Sequence, residues 1–340
     1  MAFKDIAGNE RVKHVLRRAL RRQRLPNSLL FSGPAGVGKN ETAVTVAKAL
    51  NCETRGDDAC DACVSCRAIQ EAFQDPEKQG LAPDVMFIEI QESKKKIAIE
   101  QIRLLKQTAY LRPMSSRTRV FIVRGADAMS DDASHSILKV LEEPPPASTL
   151  ILVTERPHLI LPTIRSRCRS LEFSLVAREE IALALVAAGQ PADRANLLAF
   201  LANGSMEEAL GRDWDEVLDG RRGAWELFRA LLAGRGGSDF LNAFAFVTRA
   251  MGGDDLRATL ELFASFARDA ILVREGGESR FLLNPDLEEG LRAAAKSASL
   301  RGLQTCLASI DAAIAGVEKN GNLNLLAAAF YSSFGETSHA

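Results

Sequence analysis

The sequence lacks the features of a membrane or exported protein. No run among its 340 residues approaches the roughly 18 consecutive apolar residues of a membrane-spanning helix. Its first residues have no apolar signal-peptide core, so we expect a cytoplasmic protein with no membrane partner. It also lacks a charge excess, since 43 Lys and Arg balance 44 Asp and Glu for a net charge of −1. That balance excludes a protein that coats a polyanion over its whole surface, although a local basic patch stays compatible with it.

Short apolar runs alternate with amphipathic stretches in the first half of the chain. Strands are predicted at Ser28–Phe31, Val85–Ile90, Val120–Val123, Leu150–Val153 and Leu171–Phe173. Helices are predicted at Arg11–Arg24, Lys39–Leu50, Ile97–Tyr110 and Ala133–Glu142. Because strands separated by helices pair in parallel, the pattern predicts a parallel sheet that is covered on both faces.

The strand pattern ends near residue 175, and only helical periodicity follows. The sequence therefore predicts an α/β plus all-α protein with three parts. These are an α/β domain at 1–175, with an insertion at about 52–66, a small helical lid at 176–212 and a helical domain at 213–340.

A glycine-rich segment follows the first predicted strand and opens a helix, which is the context of a phosphate-binding loop. Its characteristic positions are Gly33, Gly36, Gly38 and Lys39. Glycines let backbone N–H groups surround a phosphate, and the lysine reaches the outer phosphates. The alternative is a glycine turn that only caps the helix.

The parts needed for hydrolysis depart from this pattern. Asn40 stands where Ser or Thr supplies a hydroxyl to Mg²⁺, and Thr42 lies elsewhere on the helix. After the third predicted strand, Arg124 and Gly125 replace the expected carboxylates, and Asp127 comes too late to ligate the metal. A missing general base alone costs on the order of 10²–10⁴-fold in rate. We therefore expect nucleotide binding to be weak or absent, and no hydrolysis.

Four of the six cysteines lie within 15 residues, which indicates a metal site. They are Cys52, Cys60, Cys63 and Cys66. Two-residue gaps let consecutive thiolates share one tetrahedral Zn²⁺, and four protein ligands leave no open position, so the predicted role is structural. An iron–sulfur cluster or a disulfide stays as the alternative. Cys168 and Cys306 are isolated in sequence and are expected to be packed residues.

Basic residues are concentrated at the amino terminus. Residues 1–24 hold eight Lys and Arg against two acids, a local charge of +6. The eight are Lys4, Arg11, Lys13, Arg17, Arg18, Arg21, Arg22 and Arg24. The face is interpreted as solvated or subunit-facing, or as a contact with DNA phosphates; the loop run Lys94–Lys96 has the same alternatives. Since no base-reading motif is present, any DNA contact would be to the backbone.

Two further segments carry a family resemblance. They are residues 137–145, which read Ile-Leu-Lys-Val-Leu-Glu-Glu-Pro-Pro, and the triplet Ser166-Arg167-Cys168. Together with the loop and the cysteines, they make residues 1 to about 212 similar to the bacterial clamp-loader subunits of DNA polymerase III, in the AAA+ superfamily. Within that group the chain resembles delta-prime-type subunits more than the tau/gamma ATPases.

This resemblance implies a RecA-like domain, a three-helix lid and a helical collar that joins five subunits in an open ring. On the family pattern Thr154 takes the sensor-1 position, and Arg167 takes the position of an arginine finger that acts in trans on a neighbour's ATP. Glu207 stands where active subunits carry the sensor-2 arginine, which is a further departure from an active site. The resemblance also agrees with a zinc module in the insertion.

The leading hypothesis is a structural subunit of the clamp loader, within the DNA-directed DNA polymerase holoenzyme. Its expected partners are the tau/gamma and delta subunits, the sliding clamp and the backbone of primed DNA. The rival within the same complex is a tau/gamma-like, DNA-stimulated ATPase. A third hypothesis is a free-standing zinc protein that binds nucleotide as a sensor.

Overall fold

A computed structural model describes residues 1–91, 94–211, 213–232 and 256–318 of the chain. Two compact units are present. The first consists of Met1–Ile181 and Gly204–Glu207, and the second of the described residues within Ala182–Asn203 and Glu208–Ala340. The three-domain boundaries expected from the sequence stay a prediction.

A five-stranded parallel sheet forms the centre of the first unit. Its strands are β1 (Ser28–Ser32), β2 (Val85–Ile88), β3 (Arg119–Arg124), β4 (Ser148–Thr154) and β5 (Arg169–Glu172), in the order β2-β3-β4-β1-β5. Every residue of β1 and of β4 is buried, so both faces of these strands are covered. The predicted α/β architecture is confirmed.

Helices precede, connect and follow the strands of this unit. They are α1 (Glu10–Arg21), α2 (Lys39–Asn51), α3 (Val64–Gln74), α4 (Ile99–Ala109), α5 (Asp131–Glu142), α6 (Pro162–Arg165) and α7 (Arg178–Ala187). Short 3-10 turns lie at Phe3–Asp5, Pro76–Leu81, Ala126–Ala128 and Pro157–Leu159. In α1 the apolar positions Val12, Leu16 and Leu20 are buried, and the basic residues other than the buried Lys13 fall on the exposed face, as an amphipathic helix requires.

Several element ends differ from the sequence prediction by one to three residues, and for two of them side-chain hydrogen bonds give the reason. Strand β2 ends two residues early, because the Glu89 carbonyl accepts a hydrogen bond from Gln101 Nε2 at 2.9 Å and Ile90 is exposed. Helix α5 begins two residues early, because the Ser130 hydroxyl caps it by accepting from the Ala133 N–H at 3.2 Å. Both differences come from side-chain hydrogen bonds.

The described part of the second unit is helical. It contains α8 (Ala192–Leu201), α9 (Met206–Gly211), α10 (Trp214–Leu232), α11 (Leu256–Arg274), α12 (Glu288–Ser297) and α13 (Leu300–Glu318), with 3-10 turns at Ser279–Phe281 and Pro285–Leu287. α7 and α9 begin in the first unit and continue here. The rings of Trp225, Phe228, Phe263 and Phe266 pack together at 5.1–6.0 Å between centroids. Among the described helices, none has both the length and the apolar composition of a membrane span.

Strand direction sets where functional side chains meet. Because parallel strands end at the same edge of a sheet, the loops after β1, β3 and β4 lie close together. The loop after β1 is the glycine-rich segment, and those after β3 and β4 carry Arg124 to Asp127 and Thr154 to Arg156.

Candidate functional site

The glycine-rich loop joins β1 to α2 in a conformation that requires glycine. Gly33 has φ 147°, and a Cβ there would collide with the carbonyl oxygen of Phe173. Gly36 has φ 67°, and a Cβ there would collide with the side chain of Ser205. The loop is therefore packed closely against other parts of the same unit.

Residues 204–207 bind this loop through backbone hydrogen bonds. The backbone N–H groups of Met206 and Glu207 donate to the Gly36 carbonyl at 2.8 and 3.1 Å. The segment is fixed in turn by the Val176 N–H, which donates to the Gly204 carbonyl at 3.0 Å. The position expected to carry a sensor arginine thus places a carboxylate, that of Glu207, next to the loop.

Lys39 is turned inward. Its side chain is buried and its Nζ donates to the carbonyl of Pro34 within the loop. Burial lowers the pKa of Lys39, and nearby carboxylates partly offset this, namely Glu155, Glu41, Glu207 and Asp127. The ammonium that would meet an outer phosphate is satisfied inside the protein.

The expected metal-binding hydroxyl is absent from the loop. Asn40 takes its position, and the buried Asn40 Oδ1 has no hydrogen-bond partner among the described residues. The Thr42 hydroxyl donates to the Gly38 carbonyl at 2.6 Å, so it is engaged within α2.

The end of β3 carries a cation where a metal site needs carboxylates. Arg124 forms an ion pair with Glu89 at 2.8 Å, and its guanidinium lies 5.3 Å from the centroid of the Phe73 ring. Gly125 follows in a left-handed conformation at φ 67°. The residues present do not fit a hydrolytic Mg²⁺–nucleotide site.

Asp127 joins the neighbouring strand end. Its carboxylate accepts from the Thr154 hydroxyl at 2.7 Å and pairs with Arg156 at 2.7 Å. Burial acts to raise the pKa of Asp127, and these hydrogen bonds outweigh it, so the pKa lies below its ordinary value. The predicted sensor residue Thr154 is therefore bonded to an ionised carboxylate.

Arg167 follows α6, and its side chain is 35% exposed. The guanidinium pairs with Glu142 at 2.8 Å and donates to the Thr163 carbonyl at 2.9 Å and the Ser166 hydroxyl at 3.3 Å. Cys168 is half-buried and packs against the core, and burial raises the pKa of its thiol to about 12. Within this triplet, the arginine side chain is therefore partly exposed, whereas the thiol packs against the core.

The four clustered cysteines meet in space. Their Sγ atoms all lie within 4.8 Å of one another, with Cys60 and Cys66 at 3.9 Å. Sulfurs around a tetrahedral Zn²⁺ stand about 3.8 Å apart at normal Zn–S distances. Despite burial, hydrogen bonds from Thr54 and Cys60 lower the pKa of Cys52 to about 6. The donor set and its spacing fit a metal ion.

Three aspartates in the same loop contact the amino-terminal region, a feature that the sequence interpretation missed. Asp57 pairs with Arg21 at 2.5 Å and with Arg17 at 3.4 Å. Asp58 accepts from the Phe3 N–H at 2.8 Å, and Asp61 pairs with the Met1 amino group at 2.8 Å as well as with the buried Lys48 of α2 at 2.5 Å. The available signal was charge complementarity between this acidic loop and the basic helix.

Other predicted residues fall as follows. Lys13 is buried, pairs with Glu10 at 2.5 Å and donates to the Ile6 carbonyl at 2.6 Å, so it is structural. Lys94–Lys96 is exposed. Cys306 is buried and has a raised pKa, which agrees with the expected packing role.

Comparisons with known proteins identify relatives of this chain. A family model described as DNA polymerase III, delta subunit, matches residues 8–177. DNA polymerase III subunit delta' of Bacillus subtilis is 28% identical over 83% of this chain and 82% of its own length. Subunit tau of the same organism is 32% identical over 53% of this chain, which covers only 30% of that longer protein.

Two solved structures are also similar. A DNA polymerase III gamma subunit-related protein of Thermotoga maritima is 16% identical, with 96% of this chain and 99% of that chain covered and a TM-score of 0.41. The RuvB Holliday junction branch migration motor of Thermotoga maritima is 16% identical, with 85% and 89% covered and a TM-score of 0.44. The assignment rests on the sequence matches: the chain belongs to the DNA polymerase III clamp-loader subunit family that includes delta', gamma and tau.

Proposed function

We propose that the chain is a delta-prime-type subunit of a DNA polymerase III clamp loader, which does not hydrolyse ATP and supplies Arg167 to the ATP site of a neighbouring subunit. The observation that carries this proposal is the end of β3. There, Arg124 is paired with Glu89 in place of a metal-binding carboxylate, and Gly125 replaces the general base.

Residues in and around the glycine-rich loop also support the proposal that the site is inactive. The Lys39 ammonium donates a hydrogen bond to the Pro34 carbonyl, and Asn40 lacks the hydroxyl that ligates Mg²⁺. The carboxylate of Glu207 stands near Lys39, where it repels phosphates instead of binding them. Since each departure removes a different component, restoring one of them would not restore turnover.

The proposed role of Arg167 does not depend on ATP hydrolysis at this chain's own site. A guanidinium supplied in trans neutralises charge that develops on a neighbour's γ-phosphate, an effect of roughly 10³–10⁵-fold in rate. Glu142 and the Thr163 carbonyl hold the Arg167 side chain in one orientation while leaving part of it exposed. Ring assembly would then exchange the Glu142 contact for the neighbour's phosphate.

The proposed assembly extends to the other expected partners. Tau/gamma and delta subunits would complete a five-membered ring through the helical collar, and the ring would load a sliding clamp on primed DNA. Residues 233–255 and 319–340 of the predicted collar lie outside the described residues. We place the protein in the bacterial cytoplasm on the same basis.

We assign the cysteine site to structural Zn²⁺. Four thiolates complete a tetrahedron and leave no position for a reacting ligand. The site would fix the loop of residues 52–66, whose aspartates contact α1 and α2.

A tau/gamma-like ATPase is the second candidate. It is favoured by the retained Lys39 and loop glycines, and by identities of 32–34% to tau and gamma/tau subunits over about half of the chain. It requires metal-dependent ATP turnover that this chain performs itself.

The test is a reconstituted ring in which only the ATP site beside Arg167 is active. We expect Arg167→Ala to lower the ATPase rate of that ring by roughly 10³-fold or more. The matched control is Arg165→Ala, which removes an exposed arginine two residues away. The proposal is wrong if the two variants behave alike, or if the isolated chain hydrolyses ATP as fast as the ring.

A further inference from the structure

A concave basic surface lies along α1, and we call it the α1 groove. Its volume is about 710 Å³, and its exposed lining includes His14 and the five cationic residues Lys4, Arg17, Arg18, Arg21 and Arg22. It lies wholly within the first unit and shares no residue with the phosphate loop or with Arg167.

Charge in the groove is only partly compensated. Its acidic lining residues are Glu10, which pairs with Lys13, and Asp57, which is shared by Arg17 and Arg21. Among the described residues, no carboxylate pairs with Lys4, Arg18 or Arg22. One shared carboxylate therefore faces five exposed Lys and Arg side chains, and the surface attracts anions.

The groove is also fixed in shape. Asp57 holds the two guanidiniums of Arg17 and Arg21 toward each other, and its loop contains the four-cysteine cluster. The buried Lys13 anchors the helix by donating a hydrogen bond to the Ile6 carbonyl. Cations that are positioned before binding lose less side-chain entropy when they meet a ligand.

Arginines predominate, and this favours phosphate over other anions. A guanidinium matches two oxygens of one phosphate, and residues 17/21 and 18/22 repeat such groups once per helical turn. Phe3 is the one Phe, Tyr or Trp among the lining residues and is 1% exposed, so the groove presents none of these rings to stack on a base.

We propose that the α1 groove binds the phosphodiester backbone of DNA without reading its sequence, with Arg18 and Arg22 as contacts and Arg17 and Arg21 as positioned neighbours. The choice of DNA over other polyanions rests on the proposed function in a replication clamp loader. The site itself rests on the charge and geometry of α1 and the Asp57 loop.

The experiment measures binding of a fluorescein-labelled primer–template DNA to the full chain by anisotropy, across a series of salt concentrations. The variant R18Q/R22Q removes two groove charges. The control R11Q/R24Q removes two exposed charges of the same amino-terminal segment outside the groove lining. Both variants have the same net charge, so long-range electrostatics is matched.

We expect R18Q/R22Q to weaken binding roughly 30-fold near 0.15 M salt and to lower the salt-dependence slope by about 1.8, which corresponds to two phosphate contacts. The control should change affinity less than about threefold. Thermal unfolding and zinc content, measured on both variants, establish that they are folded.

Equal losses in the two variants, or no loss in either, would overturn the proposal. It is also wrong if R18Q/R22Q binds DNA normally but fails to assemble with partner subunits, because the groove is then a protein interface. These outcomes are separate from the ring ATPase test, in which Arg167 is changed and the groove is intact.

Discussion

At the scale of single residues, Asp84 is a buried carboxylate that organises the turn before β3. It accepts hydrogen bonds from the N–H groups of Met114, Ser115 and Ser116 at 2.8–2.9 Å and pairs with Arg119 at 2.9 Å. Burial acts to raise the pKa of Asp84, but these bonds more than offset it and lower the pKa to about 2.

This gives a pH prediction. A carboxylate with a depressed folded-state pKa stabilises the protein above its unfolded pKa, and the stabilisation is lost as the pH falls from about 4 to about 2. Asp84→Asn should lower the free energy of unfolding by about 2–3 kcal/mol at pH 7, and the difference should shrink toward pH 2. Urea unfolding at several pH values measures it.

Glu172→Gln serves as the control, because it changes an exposed carboxylate on β5. Its effect should be small and nearly independent of pH. A pH-independent cost for Asp84→Asn would mean that shape, rather than charge, explains the role of Asp84.

Residue types with a fixed spacing could be predicted from the sequence, whereas their partners could not. The cysteine spacing predicted a site that the structure brings together within 4.8 Å. The contacts of Arg167 with Glu142, and of Asp57 with Arg21, join residues 25 and 36 positions apart, and no local pattern encodes them. Such pairs depend on tertiary packing.

At the scale of elements, the cysteine loop connects parts of the chain that are distant in sequence. Asp57 forms an ion pair with Arg21 of α1, Asp58 accepts a hydrogen bond from the Phe3 N–H, and Asp61 forms an ion pair with Lys48 of α2. If a metal orders this loop, its removal should loosen all three contacts together.

We therefore predict that chelation of the metal exposes α1 to trypsin. The segment 17–24 holds five arginines, and each is a potential cleavage site once the helix frays. Digestion after chelator treatment should give early cuts in this segment, as measured by mass spectrometry. Adding Zn²⁺ back should restore protection.

A Cys60→Ser/Cys63→Ser variant should behave like chelated protein, whereas Cys168→Ser, outside the cluster, should keep α1 protected. Cleavage rates that do not depend on chelator would show that the aspartate contacts persist without a metal. In that case the loop is ordered by its ion pairs alone.

Helices and strands could be predicted where the burial of apolar side chains determines their positions. Alternating apolar runs identified all five strands and the helices α1, α2, α4 and α5, because buried sheets and amphipathic helices impose such patterns, whereas α3 was not predicted. The ends of β2 and α5 were set instead by Gln101 and by Ser130, whose side chains cap backbone groups. The pairing order of the strands could not be predicted, since it depends on long connections.

At the scale of the whole molecule, the glycine-rich loop serves as a structural part of the first unit. Gly36 bonds to Met206 and Glu207, so this short segment groups with the sheet although the residues before and after it belong to the second unit. A division read along the sequence cannot show such an interleaved arrangement.

A corresponding prediction concerns the isolated chain and ATP. With Mg²⁺ present, we expect no turnover above background, and Lys39→Ala should leave that background unchanged, because the Lys39 ammonium donates to the Pro34 carbonyl within the loop. The measurement is phosphate release with and without primed DNA. Turnover that Lys39→Ala abolishes would favour the tau/gamma-like alternative.

The position of β1 in the sheet has a consequence for synthesis on the ribosome. β1 lies between β4 and β5, which begin at Ser148 and Arg169, so it has no pairing partner on either side until more than a hundred further residues have been made. The glycine-rich loop after β1 would also emerge long before Phe173 and residues 204–207, the segments against which it packs. A nascent chain stalled before Ser148 should therefore be a client for chaperones rather than a folded intermediate.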